Sequence, residues 1–258
     1  MSSRAFSPVL FGVILVLSIT ACLVSTAEAG YIADWEFDDG ALLVDSSGNG
    51  HTLAVSSGGT VGNASGNAVF SGAGWLQTAT ALNLSSYRHI KVSYGVNVTS
   101  SLSNWPMMFE QNISFHDKPG SIVNYCGPGA TDSAAGIAWH LGTENYNIAS
   151  YAATANQAAN YVVEYDLASN LSDPGSVTKV YRNGEPISTN ASKSLDDPMS
   201  FANAVLYIGA RGDGTMNMSG TMSYLRIEDA NAIPEPGTIV LLSTGLIGLL
   251  VYAWRKRN

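Results

Sequence analysis

The chain has 258 residues, with 12 lysines and arginines against 20 aspartates and glutamates, and a formal charge of −8. That balance excludes nucleic acid and anionic lipid as partners held by bulk charge. Only two cysteines are present, Cys22 near the start and Cys126. If the first 29 residues are removed, no intramolecular disulfide is possible and a packed core must hold the fold.

Residues 1–29 carry one basic side chain, Arg4, before the uncharged apolar run 9–24, and end in Ala27-Glu28-Ala29. This is the order of a secretory signal peptide cleaved at a small-residue site, between Ala29 and Gly30. A rival is Ile19-Thr20-Ala21-Cys22, which resembles a lipobox and would place a lipid on Cys22. The Ala-x-Ala site is preferred because it sits directly before the first strand.

Residues 30–232 then form the exported domain. Without Arg4, Arg255, Lys256, Arg257, Glu28 and Glu235, the formal charge moves from −8 to about −10, which suits solubility and cation binding. Residues 32–38 alternate, with Trp35 and Phe37 on one face and Asp34, Glu36 and Asp38 on the other, as in a half-buried strand. Asp39-Gly40 ends it in a turn. Asp45-Ser46-Ser47-Gly48-Asn49-Gly50 is a long polar turn before a short strand at 51–55. Residues 67–70 and 75–78 read as short strands, and Trp35 and Trp75 are assigned to the core. Residues 89–98 give the clearest strand, with Ile90, Val92, Tyr94, Val96 and Val98 on one face.

Further strands are expected at 107–111, 113–116, 137–141, 147–151 and 161–166. Residues 127–136 read as a small-residue loop and 152–159 as a helical turn. The best hairpin signal is 177–182, Asn183-Gly184, 185–188, because Asn-Gly supplies the two positive-φ residues of a type I′ turn. Strands at 205–210 and 222–228, joined through Gly212-Asp213-Gly214, close the domain. Many short strands without an amphipathic helix predict an all-β fold: a two-sheet antiparallel jelly-roll sandwich over residues 31–229, with the strands 32–38 and 222–228 close in space.

The same residues carry a resemblance. Trp35-Glu36-Phe37-Asp38-Asp39 followed by Asp45-Ser46-Ser47-Gly48-Asn49-Gly50 resembles the opening of a laminin-G-like, concanavalin A-like domain. Val180-Tyr181-Arg182-Asn183-Gly184 resembles its late hairpin. Leu206-Tyr207-Ile208-Gly209 and Gly220-Thr221-Met222-Ser223-Tyr224-Leu225-Arg226-Ile227 resemble its last two strands. The stretch 100–160, which normally supplies the ligand-facing loops, departs from that pattern.

The C-terminal residues 233–258 read Ile-Pro-Glu-Pro-Gly, then 238–254 without a charge, then Arg255-Lys256-Arg257-Asn258. As a helix the uncharged run rises roughly 25 Å, close to the hydrocarbon thickness. The basic end stays cytoplasmic by the positive-inside rule. The predicted architecture is therefore a jelly roll flanked by a signal peptide and a C-terminal transmembrane helix. Pro234-Glu235-Pro236, one hydrophobic span and a short Arg-rich end, in that order, resemble the PEP-CTERM tail of exopolysaccharide-producing Gram-negative bacteria. The resemblance implies an exosortase as partner, cutting near Pro234, Glu235 and Pro236. It also implies export across the inner membrane to the cell surface or extracellular matrix.

Catalytic signals are sparse. The concanavalin A-like fold also hosts retaining glucanases, which carry Glu-x-Asp-x-Glu on one strand. Here Glu164-Tyr165-Asp166-Leu167-Ala168 has Ala168 where the proton donor should stand, and without it a leaving group is not protonated. His51, His89, His116 and His140 lack zinc spacing. Cys126 reads as a tucked-in thiol. The acidic opening leaves two readings. One is a structural Ca2+ held by Asp45 and Asn49 with Asp229 from the last strand, as the resemblance suggests and as oxygen-rich turns allow. The other is a solvated strand edge with a glycine turn. For sugar binding, Trp105 and Tyr146 are the candidate stacking platforms. For Trp105, Trp139, Tyr146 and Tyr151 taken singly, core packing is the competing reading. The expectation is a non-catalytic surface or matrix protein that binds extracellular polysaccharide or another surface protein. The alternative is a glycan-active hydrolase or lyase with an atypical site.

Overall fold

The computed structural model describes residues 30–56, 58–99, 105–111, 120–127, 136–141, 147–152, 155–167, 177–187 and 200–231. The expected signal peptide, the sorting motif at Pro234, Glu235 and Pro236, the apolar run 238–254, Ala168, Tyr146 and the expected strand 113–116 all lie outside them. Residues Tyr31–Ala232 form one compact unit.

The strands in chain order are β1 (Tyr31–Trp35), β2 (Leu53–Val55), β3 (Val61–Asn63), β4 (Ala68–Ser71), β5 (Leu76–Thr78), β6 (Leu82–Asn83), β7 (His89–Val98), β8 (Met107–Gln111) and β9 (Ile122–Gly127). They continue as β10 (Gly136–Leu141), β11 (Asn147–Ala152), β12 (Ala159–Asp166), β13 (Thr178–Arg182), β14 (Glu185–Pro186), β15 (Asn203–Ala204), β16 (Leu206–Ile208) and β17 (Ser219–Asp229). Among the described residues there is no helical element, and no helix long and apolar enough to cross a membrane.

Two antiparallel sheets make the sandwich. Sheet A runs β14-β13-β12-β7-β17-β4-β3, and β1 also pairs with β17. Sheet B runs β11-β10-β9-β8-β16-β5-β2, and β15 with β6 forms a small third sheet. The spine of sheet A is β17. Its one side pairs with β7 along most of its length, and its other side pairs first with β4 and then with β1. Trp35 faces Leu225 and Tyr31 faces Glu228, so the first and last strands meet as expected.

The alternation seen in the sequence of β7 places Ile90, Val92, Tyr94, Val96 and Val98 inward, all buried. They pack against Phe109, Ile122, Trp139, Leu206 and Ile208 of sheet B in one apolar core. The two layers are also bonded through it. Trp139 of β10 donates Nε1–H to the hydroxyl of Tyr94 at 2.8 Å. Tyr94 stacks on Tyr161 and meets the Phe109 ring edge-on at 5.4 Å. The Trp139 indole is wholly buried, so for this residue the core reading holds and the platform reading does not. The Asn183-Gly184 hairpin is present, with φ of 53° and 86° at its two turn residues.

Several local expectations are corrected. β1 stops at Trp35 because Phe37 takes φ of 51°, a turn that drives its ring into the core. Asp34 is buried rather than solvated. β9 is a strand where none was expected; its inward side mixes Ile122 and Cys126 with a fully buried Asn124, which breaks the apolar alternation. Of the helical turn expected at 152–159, the described residues show none: β11 extends to Ala152, β12 starts at Ala159, and Asn156 has φ of 60°. Trp75 is not part of the core. It precedes β5 on the outer side of sheet B, half-buried, with its ring against Gly58 and Gly214.

Candidate functional site

The outward side of sheet B gathers the side chains best suited to a ligand. The pairing of β16 with β8 sets Tyr207 beside Glu110, while their neighbours Ile208 and Phe109 point into the core. Next along the sheet, Met107, Val123 and Tyr125 form a second apolar cluster, against which Trp105 and Met216 pack. Trp105 holds a φ of 58° and stacks on Tyr125 at 5.5 Å with 21° between the rings. A strained bulky residue of this kind is kept only where its surroundings fix it. Here the stack on the Tyr125 ring fixes the indole.

The segment after β16 folds over this face. The Met107 amide donates to the Met216 carbonyl at 2.8 Å. The Gly212 amide donates to Glu110 Oε2 at 3.3 Å, and Arg211 Nε lies 3.9 Å from the same oxygen. The Glu110 carboxylate is buried and the Arg211 side chain is 19% exposed. Burial first, and then the charge of Glu110, raise the pKa of the Tyr207 phenol. Two half-buried indoles, a phenol, a carboxylate and a guanidinium thus share one face. That set offers stacking surfaces beside hydrogen-bond donors and acceptors. Of these residues the sequence pointed only to Trp105 as a site. Tyr125 lies on the strand that was missed, and Tyr207 carried a usable signal, since its neighbours Leu206 and Ile208 mark the opposite face.

The acidic opening is built differently. Asp45 Oδ1 accepts from the amides of Asp34 and Ser47, each at 3.0 Å, and Oδ2 accepts from the His51 amide at 2.7 Å. Burial pushes this carboxyl up, but the hydroxyl of Ser47 and the three amides outweigh it, so its pKa lies below the ordinary value. Asn49 Nδ2 donates to the carbonyls of Tyr31 and Ile32 at 2.8 and 3.1 Å. Asp229 Oδ1 accepts from the Asn231 amide at 2.9 Å. Asn49 and Asp229 sit where β1 begins and β17 ends, while Asp45 is farther along β1 at Asp34. Each is thus engaged with backbone groups, and among the described residues no three His, Cys, Asp or Glu side chains are grouped as metal ligands. Asp34 and Glu36 both bond Arg226, Asp34 at 3.1 Å to Nε. The guanidinium lies over the rings of Tyr31 and Tyr224. Burial alone would lower its pKa, but the Glu36 bond and the two charges raise it.

Glu164 lies on the outer side of sheet A, in register between Lys91 and Lys179. Lys91 also reaches Glu228 at 2.7 Å, so the row is an alternating charge ladder across four strands. Cross-strand opposite charges of this kind stabilise a sheet by roughly 0.2–1 kcal/mol each. Glu164→Gln should therefore lower stability by less than about 1 kcal/mol in urea denaturation; a loss several times larger would give Glu164 another role. Cys126 is buried, with Sγ 3.6 Å from Met108 Sδ, and burial pushes its thiol up to about 12. It is inert as a nucleophile at neutral pH.

Residues 232–257 match the PEP-CTERM protein-sorting motif. No curated protein matches the chain. Solved structures with the same fold include domain 4 of AbnA, a GH43 extracellular arabinanase from Geobacillus stearothermophilus, determined in complex with arabinotriose. The identity is 19% and the TM-score 0.55, over 80% of this chain and 96% of that one. They also include the receptor binding domain of botulinum neurotoxin D, at 15% identity and TM-score 0.56 over 83% of this chain and 53% of that one. A third is a structure of botulinum neurotoxin type C, whose cell entry is dependent upon interaction with two ganglioside molecules. It matches at 13% identity and TM-score 0.54, over 86% of this chain and 52% of that one. The chain spans about half the length of the toxin structures it matches.

Proposed function

We propose that the protein is an exosortase substrate, exported by a Gram-negative cell, whose jelly roll associates with extracellular polysaccharide and does not cleave it. The sorting motif at 232–257 carries the proposal, because it implies secretion with a membrane-anchored tail that the exosortase processes. One neighbour of the same fold was determined in complex with arabinotriose, and the cell entry of another is dependent upon interaction with two ganglioside molecules; this supports polysaccharide as the ligand. The outward side of sheet B supplies the matching chemistry. Half-buried Trp105 and Trp75 offer ring surface to sugar C–H groups, and the partly exposed Arg211, held from beneath by buried Glu110, offers N–H donors to hydroxyls. Association through few contacts is weak for one domain and gains from many copies on one surface. Hydrolysis by a retaining route needs two carboxyls about 5–5.5 Å apart. Asp34 and Glu36 are both tied to one guanidinium, Arg226, and Glu164 lies within the lysine ladder.

Mass spectrometry of protein released from the producing cell should find a C-terminus near Pro234-Glu235-Pro236. Recovery of Arg257-Asn258 on mature surface protein would leave a plain membrane anchor. The protein should be retained on the producer's own matrix, and less so with Trp105→Ala. Failure of retention would favour a protein partner, and release of reducing sugar from the matrix would favour the hydrolase reading.

A further inference from the structure

A second recessed site lies on the opposite side of the sandwich, on the outer side of sheet A. It is a cleft of about 160 Å³ floored by Gly95. Pockets that enclose drug-sized ligands hold about 300–1,000 Å³, so this one suits a single small ring. Its polar lining is Asn67, Asn97, Asn160, Asn183, Thr221 and Ser223, amides and hydroxyls without a charge.

The pairing of three strands, with Asn67 and Asn183 from adjoining turns, brings these groups together. Asn160 of β12 stands opposite Gly95 of β7, and Asn97 stands opposite Thr221 of β17. The register shift between Met222 and Tyr224 turns Ser223 toward the same place. Gly95 makes room for the side chains that line the cleft. A methyl group there would run into Ser223 Oγ, Asn160 Oδ1 and the edge of the Tyr224 ring. The Asn160 amide donates to Asn183 Oδ1 at 2.9 Å, which fixes that side chain at the rim. Asn97 stands apart from this satisfied set. Its Oδ1 is buried and meets no hydrogen-bond donor among the described residues. Buried acceptors are normally paired, and an exception calls for an explanation, such as an ordered water or a ligand. A half-turn of the amide exchanges its acceptor and donor ends, so Asn97 can present either one to a ligand.

We infer that this cleft binds one uncharged sugar residue, as a site separate from the Trp105 face. Absence of charge disfavours phosphate, carboxylate and ammonium ligands. A polyhydroxylated ring meets amides and hydroxyls with matched donors and acceptors on several sides, in the volume available. The inference rests on the polysaccharide reading for the class of ligand but not for its place.

The test uses the full chain in a detergent without a sugar headgroup. Titration calorimetry with glucose, galactose, mannose, arabinose and N-acetylglucosamine, and retention on the producer's matrix, are measured for the native chain, Asn97→Ala and Trp105→Ala. Asn97→Ala removes an unpaired acceptor, so it should leave the melting temperature unchanged or slightly raised. At the same time it should weaken monosaccharide binding at least tenfold, whereas Trp105→Ala should lower matrix retention more than it lowers monosaccharide binding. Gly95→Ala, if it folds, should block the cleft as well. Native affinity in Asn97→Ala overturns the cleft. If only Trp105→Ala loses binding, the cleft falls and the polysaccharide reading stands. If no sugar is bound and the matrix does not retain the native chain, both fall. Binding of a Ser/Asn-rich peptide at the cleft in place of every sugar also overturns the inference and gives the site to a protein ligand.

Discussion

Trp139→Ala should cost about 3–5 kcal/mol of folding stability and lower the melting temperature by roughly 10–15 °C. The indole is wholly buried, so its removal exposes a cavity rather than a surface. It lies 5.6 Å from the Tyr161 ring, and its Nε1–H is the hydrogen bond to Tyr94 that joins sheet B to sheet A through the core. Domains of this kind hold only about 5–15 kcal/mol in total, so one substitution removes a large share. Tyr94→Phe isolates the polar part. It keeps the ring stack but leaves the indole N–H without an acceptor, an expected loss of about 1–3 kcal/mol. Urea denaturation of the two single variants and the double variant gives the coupling, which should lie between about 0.5 and 3 kcal/mol. If Trp139→Ala lost less than about 1 kcal/mol, the indole would not be the inter-sheet contact described.

The second large effect is expected at Asp45. Its carboxylate accepts three backbone amides, one from β1 and two from the turn that follows. Asp45→Ala releases all three. Hydrogen bonds to a charged group contribute about 1.5–3 kcal/mol each. Water replaces those on the exposed side of the turn, so the expected net loss is about 2–4 kcal/mol. The effect carries a pH signature. Because the folded pKa lies below the ordinary value of 3.8, the contribution is complete above that value. It is lost as pH falls through the depressed one. The native chain and Asp45→Ala should therefore differ most at neutral pH, and the difference should narrow as the carboxylate protonates below pH 3.8. A constant difference across that range would mean that the carboxylate charge plays no part.

Calcium at this turn is a separate proposal for the same residues, tested by melting curves in EDTA and in millimolar calcium. A ligand that binds only the native state raises the melting temperature by mass action, so a rise in calcium would support Asp45, Asn49 and Asp229 as ligands. Identical curves would leave the three amides as the account of Asp45.

Much of this architecture was legible because it is written in local pattern. The period-two alternation of β7 needs only its own residues to state which side is buried. Asn183-Gly184 states its turn through positive φ. Cys126 was read as a buried thiol from its isolation. The sorting tail is a linear signal, read as Pro-Glu-Pro, an uncharged run and basic residues without reference to any fold. What remained hidden depends on residues far apart in sequence. Asp34 and Glu36 look solvated until Arg226, on the last strand, arrives beside them. Trp75 looks like a core residue until its strand is placed with that side outward, against Gly214.

The sequence by itself determined the all-β class, the strands with clean alternation, the tight hairpin and the C-terminal sorting motif, since each is encoded within a few consecutive residues. Only the tertiary structure decided which surfaces can hold a ligand. The face of Trp105, Tyr125, Glu110 and Tyr207 exists because β8, β9 and β16 are neighbours in sheet B. The amide cleft exists because β12, β7 and β17 lie side by side over a strand position that has no side chain. The physical reason is that a strand's own pattern sets which of its residues point outward, whereas sheet order and register set which outward residues of other strands stand beside them.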